Sequence, residues 1–185
     1  MKPQNYSRRT RYRAPAAWYS HISNRLGVFL TSFGLAPKDA VTLEVSGRRT
    51  GRVRRIPLLR TPLRGKNYLV ALAGESEWVR NVRAAGGQAV IRRRGARPVH
   101  LIELAVDERP PIIREYLRGA AERSGAKAAA NAARNYFGLR ADPSLEEIRA
   151  VADYYPVFRV AYGRIGSNVL AQNPGLTNRA SSSGK

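Results

Sequence analysis

The chain has 185 residues and no cysteine, which excludes disulfides, a cysteine nucleophile and a thiolate metal site. Apolar residues make up 43% of it, enough to build the core of one domain. The two histidines, His21 and His100, are isolated, so no metal site is expected.

Charge is the unusual property of the chain. Lys and Arg number 33 against 13 acidic residues, a formal net charge of +20, and 28 of the cations are Arg. Arg has a planar fork that suits phosphate and carboxylate, so we expect an anionic partner: a phosphorylated cofactor, a nucleic acid or an acidic membrane surface. No apolar run approaches the roughly 18 residues of a spanning helix, which favours a cytoplasmic protein.

The N-terminal region is basic throughout. Residues 1–15 are turn-rich and are predicted to be a flexible arm. Apolar side chains recur at helical spacing over residues 16–33, which predicts a helix that Gly34 ends. No acid precedes Asp39, so arm and helix form one cationic end. The domain is expected to span residues 16–166, and the polar tail, residues 167–185, to be disordered.

Five short strands with one inserted helix are predicted in the first half. The strands are residues 40–46, 53–60, 67–73, 88–93 and 98–105. Ser76 can cap the helix, which runs through Ala85. Pro57 suggests an edge or a bulge in the second strand. Hairpin links between successive strands favour an antiparallel barrel over a parallel sheet.

The second half is predicted to be helical until one last strand. Pro110 or Pro111 can open a helix, an Ala-rich stretch over residues 120–137 is interrupted at Gly125, and Ser144 begins a capping-box helix that runs to residue 153. Residues 157–162 form the last strand. The predicted fold class is therefore mainly β (α+β), with about six mostly antiparallel strands, an N-terminal helix and a helical insert before the last strand.

Residues 47–58 contain a turn bracketed by Gly47 and Gly51 and crowded with arginines. Glycine permits positive backbone angles and lets an anion approach closely. The arginines are Arg48, Arg49, Arg52, Arg54 and Arg55. Alternation puts Arg52 and Arg54 on one face and Arg55 on the other. The hairpin is either an anion site or a solvated basic surface.

Residues 74–86 form a short helix directly after a strand. Its first amides can meet a negative group. Trp78 offers either a flat wall for a ligand or ordinary core packing, and Asn81 lies one turn further on.

These two segments resemble motifs of one enzyme family. The first resembles the Gly-Arg-Lys/Arg-Thr/Ser-Gly-x-x-Arg-x-x-Pro-Leu signature of deazaflavin-dependent, nitroreductase-type proteins, and the second their Trp-x-x-Asn-Leu/Val-Arg/Lys-Ala segment. The order of elements agrees over about residues 25–162. The resemblance implies a split β-barrel like that of flavin reductases. It also implies reduced coenzyme F420 as hydride donor and a quinone, nitroaromatic or activated alkene as acceptor.

The resemblance also implies a set of cofactor-binding residues. Around the phosphate and acidic tail would lie Arg48, Arg49, Thr50, Gly51 and Arg54. Along the ring or ribityl chain would lie Ile56 and Pro57, bordered by Ala73 and Gly74. The pocket would be closed by Trp78, Asn81 and Val82. The chain departs from the family at Ile56, where Asn is frequent, and at Glu75, which would repel a phosphate.

A proton donor for the reduced product is sought among tyrosines, because a buried phenol can donate to a developing oxyanion. Tyr154 and Tyr155 precede the last strand and are the candidates; the alternative is that they pack the end of the preceding helix.

Three other functions stay open. A related split barrel could hold FMN, with the arginines on its terminal phosphate. A nucleic-acid binder would need aromatic residues among the basic ones, and the basic hairpin at residues 92–97 has none, so no specific nucleic acid is expected. A lipid-binding or other anion-binding relative could rest its basic arm on a membrane. The resemblance also allows a homodimer.

Overall fold

The computed structural model describes residues 38–163; the predicted arm, N-terminal helix and tail lie outside these residues. Six strands close into an antiparallel barrel in the order β1-β2-β3-β6-β5-β4. They are β1 (Ala40–Ser46), β2 (Val53–Leu63), β3 (Lys66–Val70), β4 (Gln88–Arg92), β5 (Ala96–Glu103) and β6 (Val157–Ala161). The barrel confirms the predicted fold class.

Strand β1 shows why these segments form a barrel. Val41, Leu43 and Val45 point inward and are almost fully buried, as period-two alternation requires. Thr42 and Glu44, on the outer face, are buried as well.

Strand β2 pairs with β1 along its first part and with β3 only at its end, so β2 and β3 separate over the first part. Residues 53–59 pair with β1, and only residues 60–63 pair with β3. Within the described chain, nothing pairs with the other side of residues 53–59. Pro57 lies in this half, so its missing amide hydrogen interrupts no bond to β3. The register with β1 is one to one, so Pro57 occupies a local edge rather than a bulge.

Helix α1 (Glu77–Ala84) inserts the side chains of Trp78, Val79 and Val82 into the barrel core. The helical insert packs as a second layer, and its core includes Ile113, Phe137, Ile148 and Tyr155. Its helices are α2 (Arg109–Ser124), α3 (Ala126–Ala132) and α4 (Leu145–Val151). No helix of residues 38–163 is long and apolar enough to cross a bilayer.

Three predicted boundaries were wrong in informative ways. The third strand was expected to reach Ala73, but it ends at Val70 because the chain turns, with the Gly74 amide donating to the Ala71 carbonyl over 2.9 Å. The fifth strand begins at Ala96, since Arg94 (φ 57°) makes a tight turn. The last helix ends at Val151 and a 3-10 turn, Ala152–Tyr154, replaces its predicted end.

Candidate functional site

The turn between β1 and β2 is built on two glycines. The Gly47 carbonyl accepts hydrogen bonds from the amides of Thr50 (3.2 Å) and Gly51 (2.8 Å), and the Gly47 amide donates to the Arg52 carbonyl (2.9 Å). Gly51 has φ 66°, which disfavours any side chain. A Cβ at Gly47 would lie 3.0 Å from the Arg52 carbonyl oxygen. The amides of Thr50 and Gly51 are thus hydrogen-bonded within the turn, and the neighbouring arginines are exposed.

The five arginines of this hairpin are not equivalent. Arg48 pairs with Glu77 (2.6 Å) and Arg55 with Glu44 (2.7 Å). The others have no carboxylate partner in the described part of the chain: Arg49, Arg52 and Arg54. All 13 acidic residues lie between residues 39 and 153, so the rest of the chain contains no Asp or Glu that could compensate them. Residues 47–54, here named the arginine tip, thus carry three exposed, uncompensated charges.

The arginine tip is fastened to helix α1 through Arg48. The Arg48 guanidinium donates to both carboxylate oxygens of Glu77 (2.6 and 3.3 Å) and to Oδ1 of Asn81 (3.1 Å). The Arg48 amide also donates to Asn81 Oδ1, over 3.2 Å. Hydrogen bonding from Arg48 lowers the pKa of Glu77, although partial burial acts in the opposite direction.

The outer face of the hairpin holds a second ion pair. Glu44 is buried, and burial alone would raise its pKa. Hydrogen bonds from Arg55 (2.7 Å) and Arg92 (3.2 and 3.3 Å) outweigh this effect, so its pKa is lowered. Arg55 is therefore tied to the sheet, on the face opposite Arg54.

A gap borders the arginine tip where β2 and β3 separate. Continuing the β2–β3 register would set Ala73 opposite Ile56, but pairing ends at Arg60 and Leu69. The gap, as used here, is the unpaired edge of residues 53–59 of β2 in the described part of the chain, on the side from which the loop of residues 71–76 leaves β3. Ile56 and Leu58, on the same face of β2 as Arg54, are only partly buried against the barrel core. An apolar surface thus continues directly from the charged tip.

The loop beside the gap contains an unpartnered hydroxyl. Gly74 has φ 63° and is buried. Ser76 precedes α1 but does not cap it, and its Oγ is buried with no hydrogen-bond partner among residues 38–163. Glu75, expected to repel a phosphate, instead accepts a hydrogen bond from Arg83 over 2.9 Å.

Trp78 and Val82 serve as core residues. Trp78 is 8% exposed and its ring lies 5.4 Å from that of Phe158, while Val82 is fully buried. Of the two interpretations of Trp78, the structure favours core packing behind the gap. Asn81 is also buried and reaches the arginine tip, as described above.

The far end of α1 has an anchor that sequence reasoning missed. Arg83 donates to Glu103 at the end of β5 through two nitrogens (both 2.8 Å), and Arg109 donates to the same carboxylate at 3.4 Å. The hydrogen bonds that Arg83 donates to Glu103, and to a lesser extent to Glu75, raise the pKa of Arg83. The partners lie 20 residues apart, so no local spacing could have revealed them.

The two tyrosines occupy different environments. Tyr155 is buried in the helical layer, and its hydroxyl donates to the Tyr136 carbonyl. Tyr154 is 40% exposed. The Pro156 carbonyl accepts a hydrogen bond from the Ala71 amide (2.9 Å), so the segment after Tyr154 adjoins the loop beside the gap.

The match to a protein family covers the part of the chain that contains the arginine tip and helix α1. A family model described as F420H(2)-dependent quinone reductase matches residues 12–129, more than half of the chain. The chain belongs to this family. It is accordingly an oxidoreductase that uses reduced coenzyme F420 to reduce quinone-like acceptors. The match includes the arginine tip and α1 and ends before Tyr154 and β6.

Solved structures with similar folds were also found. One described as a domain-swapped dimer is 20% identical over 80% of this chain and 99% of its own, with a TM-score of 0.45. An F420-H2 dependent reductase (FDR-A) is 22% identical over 66% and 94%, with a TM-score of 0.41. A conserved hypothetical protein from Mycobacterium tuberculosis is 13% identical over 83% and 86%, with a TM-score of 0.39. No curated protein matches the sequence.

Proposed function

We propose that the arginine tip holds the anionic tail of coenzyme F420 and that the adjoining gap receives its ring. The observation that carries this proposal is the charge imbalance at the tip, where Arg49, Arg52 and Arg54 have no carboxylate partner among the described residues. Three like charges on one turn repel one another, and an anion relieves that repulsion. The coenzyme's phosphodiester and glutamate carboxylates are anions that guanidinium groups bind well.

The residues beside the gap fit the rest of the coenzyme. Ile56 and Pro57 on one side, with Ala73 and Gly74 on the other, would border a planar ring in this gap with mostly apolar groups. The buried Ser76 hydroxyl has no partner in the described structure and can supply a hydrogen bond to a polar edge of a ring or ribityl chain. Thr50 and Gly51 act by shaping the turn, because their amides are already used within it.

The protein's own contribution to the reaction is positional. When bound, reduced F420 supplies the hydride. The barrel core behind the gap, closed by Trp78 and Val82, excludes water from one face of the slot and leaves the other face for the acceptor. Tyr154 is the better candidate for proton donor, since the Tyr155 hydroxyl already donates to a backbone carbonyl.

FMN is the second candidate cofactor, because its single phosphate could also occupy the arginine tip. Three uncompensated guanidinium groups favour the more highly charged F420 tail. The acceptor we propose is a quinone, in line with the family, with nitroaromatics and activated alkenes as chemically related alternatives.

The test is a pair of fluorescence titrations, with F420 and with FMN, on wild type, Arg54→Gln and Arg114→Gln. Arg114 is an exposed arginine on α2 without an ion pair in the described structure, so its variant controls for the loss of one charge. We expect Arg54→Gln to weaken F420 binding by about tenfold or more and Arg114→Gln to leave it nearly unchanged. Equal affinity of all three proteins for F420, or tighter binding of FMN by wild type, would overturn the proposal.

A further inference from the structure

Arg48 differs from the other arginines of the tip because it is hydrogen-bonded to helix α1; these contacts are here called the joint. We infer that Arg48 is a positioning residue, which fixes the tip on α1, and that Glu77 and Asn81 are its partners in this role. The inference rests on the proposed function, since what is positioned is the anion-binding surface of Arg49, Arg52 and Arg54. In this assignment Arg48 anchors the tip, and the other three arginines bind the anion.

The hydrogen bonds of Arg48 carry the inference. Its guanidinium is engaged by both oxygens of Glu77 and by Asn81 Oδ1, at 2.6, 3.3 and 3.1 Å. Three of the five N–H donors of the guanidinium are therefore used and its charge is paired, so an anion at the tip would have to compete with Glu77 for Arg48. Arg49, Arg52 and Arg54 make no carboxylate hydrogen bond among the described residues.

Asn81 gives the joint its precision. The side chain is 5% exposed and its oxygen accepts from both the guanidinium and the backbone amide of Arg48. Two donors from one residue fix the backbone at the start of the turn as well as the side chain. Asn81 is held by α1, whose side chains pack in the barrel core, so the tip is fixed to an element of that core.

A role in anchoring Arg48 explains why a carboxylate, Glu77, lies at a surface that is proposed to bind an anion. Its carboxylate is 71% exposed and is paired with Arg48 of the arginine tip, where it would compete with a bound anion. Arg80 also lies 3.5 Å from this carboxylate, and Arg49 acts on it only through a Coulomb attraction that lowers the pKa of Glu77 less than Arg48 does. The hydrogen bonds select Arg48, and so leave Arg49 available for the ligand.

The test exchanges the charges of Arg48 and Glu77. F420 dissociation constants are measured for wild type, R48E, the double variant R48E/E77R and the matched control R49E/E77R, with the Tm of each. We expect R48E to lose about tenfold or more in affinity and R48E/E77R to return to within about threefold of wild type, because the exchanged pair restores the joint. R49E/E77R should stay weak, because position 49 contacts the anion itself.

A second measurement uses a milder substitution that does not depend on the exchange. The slope of log Kd against log salt counts the charges that contact the anion. We expect Arg49→Gln to reduce this slope and Arg48→Gln to leave it at the wild-type value while raising Kd at every salt concentration.

Two outcomes would overturn the inference. The first is R48E/E77R remaining as weak as R48E while its Tm is at the wild-type value; the second is Arg48→Gln reducing the salt slope as much as Arg49→Gln. Wild type that fails to bind F420 would instead overturn the proposed function, and this inference with it. Wild-type binding that Arg54→Gln leaves unchanged would also contradict the proposed function, independently of the exchange.

Discussion

Glu44 is a buried carboxylate whose charge is compensated only in the folded chain. It is buried on the outer face of β1 and accepts hydrogen bonds from Arg55 and Arg92, on the two neighbouring strands. Removing one member of a buried ion pair leaves the other charges without compensation. Because Arg55 and Arg92 are partly exposed, water can recover some of the loss. We expect Glu44→Gln to lower the free energy of unfolding by about 1–3 kcal/mol at neutral pH, measured by urea denaturation.

The same residue predicts a pH dependence. The pKa of Glu44 in the folded chain is lowered from its ordinary value of 4.5. Its contribution to stability is therefore present above that ordinary value and is lost as the pH falls through the folded pKa. The difference in unfolding free energy between wild type and Glu44→Gln should shrink as the pH falls below 4.5. Glu146→Gln removes an exposed carboxylate and is the control; a difference for Glu44→Gln that is constant with pH would refute this assignment.

Tyr155 is predicted to stabilise the fold without taking part in the reaction. Its hydroxyl donates to the Tyr136 carbonyl, and its ring lies 4.7 Å from that of Phe137. Tyr155→Phe keeps the ring contact and should lower the free energy of unfolding by about 1 kcal/mol. The turnover number should change less than about twofold, whereas Tyr154→Phe should lower it further if Tyr154 donates the proton. A large loss of turnover in Tyr155→Phe with wild-type stability would reverse these roles.

Helix α4 is an element whose start is set by local chemistry. The Glu147 amide donates to Ser144 Oγ (3.2 Å) and the Ser144 amide donates to Glu147 Oε2 (2.7 Å), the reciprocal capping box predicted from sequence. Ser144→Ala should lower the free energy of unfolding by about 1 kcal/mol. Because α4 belongs to the helical layer, the F420 dissociation constant should stay unchanged. Weaker binding would show that this layer also shapes the cofactor site.

Features were predicted well from the sequence where the interacting residues are close together in the chain, and poorly where they are far apart. Strands defined by alternation and the Ser144 cap were predicted well, since the residues that decide them are neighbours in the chain, whereas the predicted Ser76 cap does not form. The β3 boundary was missed because pairing with β2 stops at Leu69 and the chain then turns, with the Gly74 amide donating to the Ala71 carbonyl.

The candidate site shows the same division between near and distant partners. The crowding of arginines and the need for Gly47 and Gly51 were visible in the sequence. That Arg48 is already bound was not visible, because Glu77 and Asn81 lie 29 and 33 residues away. For Trp78 the sequence alone favoured core packing over a pocket wall, and its ring does pack on that of Phe158.

At the scale of the molecule, the barrel depends on its last strand. β6 pairs with both β3 and β5, and Phe158 fills the core against Trp78. A chain ending before Val157 would expose two strand edges and lose this packing, so we expect no cooperative urea transition. A chain ending at Gly163, which keeps all of β6, is the control. Cooperative unfolding of the shorter chain would contradict the structural role given to β6.

The account depends most on the arginine tip recognising the charged tail of the coenzyme. The direct measurement compares the affinity for intact F420 with that for the phosphate-free deazaflavin riboside. Both are titrated into wild type and into the triple variant R49Q/R52Q/R54Q. We predict that wild type prefers intact F420 by about tenfold or more and that the triple variant loses this preference while still binding the ring fragment. A triple variant that keeps the wild-type preference for the intact coenzyme would contradict the account.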